Sequence, residues 1–161
     1  MGISIQCGTS TNNQGSEVKD TSTVNLAPAV SDTSLYVTLE TKDQYKLSDS
    51  ILIDFVVHNP TKDTLKFTQY HTPFEGVISK FVDVIGADSV EVDYIGAMAR
   101  RIMPPPADTY HAVAPNESKR ISFDLKKGYK IDKVGTYSIQ YNSERISGIT
   151  PSKAVEITVV D

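Results

Sequence analysis

The stretch Ile51-Leu-Ile-Asp-Phe-Val-Val57 decides the fold class. Ile51, Ile53, Phe55 and Val57 recur every second residue, which places them on one face of an extended strand. The other face carries Leu52, Asp54, Val56 and His58. A strand apolar on one face and half apolar on the other belongs in the middle of a sheet. On either side the same period of two continues. Leu35, Val37 and Leu39 alternate with Tyr36, Thr38 and Glu40, and Leu65–Phe67 and Phe81–Ile85 follow. Further strands are expected at Val90–Tyr94, Ile121–Leu125, Tyr137–Tyr141 and Val155–Val159. Turn residues separate them at sandwich spacing: Asn59-Pro60-Thr-Lys-Asp63, Gly86–Ser89 and Ala114–Glu117. About eight short strands without a sustained helical period predict an all-β chain, an immunoglobulin-like antiparallel β-sandwich. A short helical turn is expected only over Gly96–Met103, before Pro104 stops it.

The segment Asp132-Lys-Val-Gly135-Thr-Tyr137-Ser-Ile139 supports that architecture. A tyrosine opening a late strand, two residues before an inward position, matches the tyrosine corner of immunoglobulin-like sandwiches. Its hydroxyl is expected to bond back to upstream backbone. The competing reading is an ordinary strand tyrosine after a glycine turn.

Composition bounds the rest. The chain has 161 residues, 39% of them apolar, which suits one domain with one core. A net charge of -4 argues against a nucleic-acid partner. No apolar run reaches the roughly 18 residues of a bilayer span. The single cysteine, Cys7, excludes an intrachain disulfide. Residues 1–32 are expected to form a disordered tether, because Gly8–Asp32 is polar and nearly devoid of large apolar side chains. The sandwich is expected over 33–161. A cysteine at the head of a polar tether resembles a bacterial lipoprotein, with Cys7 as the lipidated residue. Gln6 departs from that pattern, as does the lack of a charged and long apolar leader. The alternative is a free thiol on a tail. Gln6 also breaks the myristoylation pattern that Met-Gly would open.

Templates for chemistry are missing from the sequence. His58, His71 and His111 stand far apart, and none has a second His or Cys at ligand spacing. There is no His-Glu-x-x-His, no Gly-x-Ser-x-Gly and no phosphate-cradling glycine loop. The chain is therefore expected to be non-enzymatic and to need no cofactor. Asp83 and Asp93 are expected on solvated strand faces, and His58 at the half-exposed end of a strand.

Two connections are candidates for recognition. One is Gln69-Tyr-His-Thr-Pro-Phe-Glu-Gly76, where Tyr70, His71 and Phe74 are candidate anchors. The other is Asp93-Tyr-Ile-Gly-Ala-Met-Ala-Arg-Arg-Ile-Met-Pro-Pro-Pro106, continuing to His111, with Arg100, Arg101, Pro104, Pro105 and Tyr110 as candidates. Arginines and aromatics are enriched at binding hot spots, and a proline-stiffened loop loses little entropy on docking. The competing use of these side chains is to plug the open ends of the sandwich.

An ordered set of motifs adds a resemblance. It comprises His58-Asn59-Pro60 with Asp63-Thr-Leu65, Thr72-Pro-Phe-Glu-Gly76, Tyr94-x-Gly96-x-Met98-x-Arg100-Arg101-x-x-Pro104, Ala114-Pro-x-Glu-Ser118, Gly128-Tyr129 and Gly135-Thr-Tyr137. Over roughly Ser34–Tyr141 these resemble the non-catalytic β-sandwich domain that precedes the catalytic domain in bacterial relatives of deuterolysin and peptidyl-Lys metalloendopeptidases. The resemblance implies an immunoglobulin-like fold in an exported protein, in the cell envelope or periplasm or secreted. It carries over no catalytic residue, since in that family the zinc ligands belong to the following domain. The expected role is a protein-binding module, with a peptidase among the candidate partners and a membrane reached only through a lipid anchor. A protease inhibitor presenting the Met103–Pro106 segment is the alternative. A sugar-binding role lacks the usual stacking platform, because the chain has no Trp.

Overall fold

A computed structural model describes residues 34–161. The expected tether and Cys7 lie outside the described residues. Ten strands run in chain order: β1 (Tyr36–Glu40), β2 (Gln44–Lys46), β3 (Leu52–His58), β4 (Leu65–Thr68), β5 (Val82–Ile85), β6 (Tyr110–Val113), β7 (Ser118–Asp124), β8 (Gly135–Tyr141), β9 (Thr150–Pro151) and β10 (Val155–Val160). They form an all-β sandwich. One sheet has the order β7-β3-β1-β9, the other β2-β10-β8-β5, and β4 and β6 make a separate two-stranded ribbon.

The apolar run around Ile53 and Phe55 lies where its pattern placed it, with β3 between β1 and β7. Both pairings are antiparallel, with Phe55 opposite Leu39 on one side and Ile121 on the other. Ile53, Phe55 and Val57 are fully buried. Phe55 joins the layers: its ring meets Tyr141 of the opposite sheet at 5.1 Å and Phe81 at 6.4 Å, both edge to face. Phe81 in turn meets Phe123 of β7 at 5.1 Å. Edge-to-face contacts of this kind add to the area term of aromatic burial. Truncating Phe55 would remove roughly 3–5 kcal/mol of packing.

The sandwich departs from the expected pattern in its edges. β1–β9 and β10–β2 are parallel pairs, so the sheets are not purely antiparallel. β1 and β2 follow each other closely in sequence yet belong to different sheets. Three short strands, β2, β6 and β9, were not expected. Val90–Tyr94 was expected as a strand and makes only two isolated bridges, Ile85 with Glu91 and Tyr94 with Tyr129. Val92 and Tyr94 of the run are half-buried against the core, while Val90 is exposed.

Two local devices fix the strand ends. Tyr137 makes the corner expected of it, its hydroxyl donating to the Lys133 carbonyl at 2.7 Å while its ring is buried. Asn59 is buried in the turn after β3. Its amide donates to the carbonyls of Asp63 (2.7 Å) and Val113 (2.8 Å), and its oxygen accepts from Thr61 N–H and hydroxyl. One side chain thereby ties the β3 turn to the end of β6. At the outer side of β5, the Tyr129 hydroxyl donates to the Val82 carbonyl (2.6 Å) and accepts from the Val82 N–H (3.3 Å).

Candidate functional site

The two recognition candidates, 26 residues apart at their closest partners, meet in space. Thr72 starts a 3₁₀ turn over Pro73–Glu75, its hydroxyl accepting from Phe74 N–H, with Pro73 at the position where no donor is needed. That turn aims Glu75 inward. The Arg101 guanidinium from the second connection bonds its carboxylate. The pair is almost closed off, with side chains 11% and 5% exposed for Arg101 and Glu75. Tyr70 covers it, its ring 4.8 Å from the guanidinium carbon. His71 donates its backbone N–H to Glu75 at 3.0 Å and holds a positive φ of 57°. That conformation is unusual for a non-glycine residue. The Tyr141 hydroxyl donates to the His71 carbonyl at 3.0 Å and helps to secure it.

Burial is the first cause acting on Glu75, and it raises the carboxyl above its ordinary range. The His71 N–H and Arg101 oppose it. Arg101 Nε and the Ser79 hydroxyl are buried with no hydrogen-bond partner among the described residues. A buried pair left incompletely satisfied is a weak source of stability and a strong positional restraint. We call it the clasp.

Tyr94 anchors the start of the second connection. Its hydroxyl donates to the Ala97 carbonyl at 2.6 Å, and its ring meets Tyr129 edge to face at 5.2 Å. The ring occupies space that only glycine leaves open. A Cβ on Gly96 would lie 2.6 Å from the Tyr94 hydroxyl, and one on Gly128 would lie 2.9 Å from its ring and 2.6 Å from Val77. The spacing Tyr94-x-Gly96 and the pair Gly128-Tyr129 thus describe one packing unit.

Between these anchors the chain runs without helix or strand. The helical turn expected over Gly96–Met103 does not form. Ala99 N–H instead bonds the Ile78 carbonyl at 2.9 Å, and within this connection helix appears only later, as the 3₁₀ turn Ala107–Thr109. The Met103–Pro104 peptide is cis. Ile95, Met98, Ile102, Met103 and Tyr110 are five of the eight large apolar side chains exposed among the described residues. Met98 and Ile102 stand out at 69% and 71% exposure. From Tyr94 to Ala107 the sequence has two arginines and no acid. With Arg101 paired inside, Arg100 is the exposed cation of this run.

The expected site residues therefore divide. Arg100, Pro104 and Tyr110 are exposed, and Pro105 and His71 are half-buried. Tyr70 is buried against Arg101, and Phe74 packs against Phe55, Phe67 and His111. Both rings are committed to packing, because the end of the sandwich closes on them. Ile102 stood in the quoted run without being singled out, and Met98, weighed with Phe74 as a plug for the sandwich end, is exposed instead. A one-sided count of apolar residues free of acids would have found them.

Other polar groups settle elsewhere. His58 bonds Thr38 through Nε2 (2.8 Å) and Ser118 through Nδ1 (3.0 Å), and stacks on Tyr36. Beside it on the outer face, Arg120 reaches Glu40 (2.7 Å) and Asp54 (2.6 Å). His111 bonds Gln69 at 3.1 Å and stacks on Phe67. Burial is the first cause holding all three histidines below the ordinary imidazole range, with Arg101 adding to it at His71 and Lys119 at His111. Among the described residues, no group of three or more His, Cys, Asp or Glu is placed to hold a metal. No helix among them is long and apolar enough to cross a membrane.

A shallow hollow of about 340 Å³ lies at the far end of the β5 turn. Gly86, Ala87, Gly135 and Tyr137 are among its lining residues, Val90 and Val134 stand exposed around it, and Asp88, Glu91, Asp93 and Asp132 contribute acids. Lys130 and Lys133 also line it.

No family model matches the chain, and no curated protein matches it. Among solved structures it is similar to a β-glucosidase from Listeria innocua in complex with isofagomine, at 12% identity and a TM-score of 0.42. That match covers 79% of this chain and 16% of the other. A β-glucosidase from Erythrobacter marinus matches at 15% identity and a TM-score of 0.39, over 80% of this chain and 16% of that one. The chain spans about a sixth of the length of these structures, and at such scores the likeness carries no argument about activity.

Proposed function

We propose that this chain is a non-catalytic protein-binding module whose recognition element is the connection from Ile95 to Met103. The observation that carries the reading is the concentration of exposed Met98, Ile102 and Met103 around exposed Arg100, on a segment clasped by the buried Arg101–Glu75 pair. A preformed loop that presents apolar and arginine side chains is what a hot spot needs. The motif resemblance supports placing the module in the cell envelope, as a relative of a peptidase-associated domain. Cys7 is the lipid-anchor candidate, and a peptidase is a candidate partner.

The test must spare the clasp. A Met98→Ser, Arg100→Ala, Ile102→Ser variant changes exposed side chains and leaves Arg101 in place. Capture from native envelope extract by wild type and variant is the measurement. The variant is expected to lose the main captured proteins, and identical captured sets would refute the reading.

The inhibitor alternative rests on the same exposed, extended segment. Incubation with a panel of metallo- and serine proteases separates the two. Loop-dependent inhibition at micromolar concentration would favour it over simple docking.

A further inference from the structure

We infer that a second copy of this chain is an occupant of the Ile95–Met103 connection, received in the hollow lined by Gly86, Val90, Val134 and Tyr137. The inference rests on reading the connection as a recognition loop, and it names what that loop meets.

The argument is complementarity between two surfaces of one molecule. The connection offers two unbranched, flexible apolar side chains, Met98 and Met103, the β-branched Ile102, and one exposed cation, Arg100. Methionine adapts its shape to an irregular receiving surface. The hollow offers the converse. Gly86, Ala87 and Gly135 line it, Val90 and Val134 are 60% and 52% exposed around it, and the hollow of about 340 Å³ lies in the range that accepts a few side chains. Its charge also has the complementary sign. Asp88, Glu91, Asp93 and Asp132 outnumber Lys130 and Lys133. Glu91 is engaged by Lys80, Lys130 lies 3.9 Å from Asp132, and Asp88 accepts from Val90 N–H at 3.1 Å through Oδ1, which leaves Asp93 and the second oxygen of Asp88 most available to a guanidinium. Together, these two features include six of the eight large apolar side chains exposed among the described residues: Val90, Ile95, Met98, Ile102, Met103 and Val134. One contact between copies would cover most of that exposed surface.

Such a contact joins two different patches, so it is heterologous unless the two copies exchange loops reciprocally. In either arrangement it competes with any other partner for the same side chains. Association between copies would then hold the recognition loop covered until a tighter partner displaces the neighbour.

The test is sedimentation of the full chain across a concentration series, with reductant present so that Cys7 cannot cross-link copies. Wild type is expected to self-associate reversibly. Met98→Ser with Ile102→Ser is expected to weaken that association at least about tenfold, the loss that follows removal of central interface contacts. Charge reversal gives the discriminating arm. Arg100→Glu protein and Asp88→Lys/Asp93→Lys protein should each be largely monomeric alone and should associate when mixed, because the reversed charges pair across the contact. A monomeric wild type at every concentration overturns the inference, as does a mixture that stays monomeric. If the envelope capture still depends on Met98, Arg100 and Ile102 in that event, the binding reading stands without it. If capture is also indifferent to those residues, both fall. Binding of wild type to phosphatidylcholine vesicles through Met98 and Ile102, without self-association, would reassign the loop to a lipid surface.

Discussion

Two arginines in this molecule each meet carboxylates, and they do opposite things. Arg120 lies on the outer face of the β7-β3-β1 sheet, half exposed, between Glu40 and Asp54. Arg101 lies inside, between Glu75 and the ring of Tyr70, with little exposure. On the outer face, water screens the charges and solvates either partner if the other is lost, so the pairs are worth little. Inside the clasp neither charge has an alternative. The pair gains little net stability over an apolar replacement, but losing half of it strands a charge. The outer network decorates strands already paired by backbone. The clasp joins two connections at points, Glu75 and Arg101, that lie in no strand.

The largest effect expected from this contrast is at the clasp. Arg101→Ala should lower unfolding stability by about 3–5 kcal/mol, measured by urea denaturation. An Arg101→Met, Glu75→Leu double variant should recover much of that loss, because no charge is left buried. Equal instability of the double variant would show that the clasp is stabilised by its charges themselves.

A smaller effect concerns pH. His58 on the outer face and His71 and His111 at the clasp end all have imidazoles held below the ordinary range, first by burial. For a depressed imidazole the unfolded chain binds the proton first. Its stabilising contribution is complete above about pH 6.5 and is lost as pH falls through the folded-state value. Glu75 has the opposite sign: its carboxyl is raised, so its contribution is present below about pH 4.5 and lost as pH rises through the folded-state value. The histidines should therefore add a rise in unfolding stability between about pH 5 and pH 7, against the fall that Glu75 contributes, and histidine variants whose profiles stay parallel to wild type would contradict the burial of the imidazoles. A His71→Asn, His111→Gln variant should flatten the rise more than His58→Gln does, because it removes two of the three contributors.

The smallest effect is at Arg120. Arg120→Ala should leave the denaturation midpoint within experimental scatter, and raising salt should not separate variant from wild type further. A clear loss of stability would mean that the outer network is cooperative and that the contrast is overdrawn.

What could be read from the sequence followed from locality. The alternation around Phe55 and the corner at Tyr137 are written within a few residues, and both describe real strands. β2, β6 and β9 escaped because their signals are too short or misleading. Gln44–Lys46 buries only Tyr45, and Thr150–Pro151 pairs along two residues. Val90–Tyr94 misled in the other direction: its alternation does turn Val92 and Tyr94 towards the core, but its backbone pairs only at isolated bridges. The clasp was hidden for a different reason. Nothing near Glu75 announces a partner at Arg101, and pairing across that separation is created by the fold. The motif spacing around Tyr94 and Gly128 was visible, but its cause, a ring wedged against two glycines, was not.

The phenol of Tyr129 has a consequence for how the molecule behaves in a crowd. β5 is the last strand of its sheet, and a last strand offers bare peptide groups on which a foreign strand can be templated. At Val82 one oxygen engages both the N–H and the carbonyl that such a strand would need. A side chain stands where the next backbone would begin, and sheet growth is blocked there without a proline, a bulge or a charge. The protein can then leave apolar side chains exposed on one connection while its neighbouring sheet edge is capped, by this phenol at Val82 and by Val92 N–H at Val84.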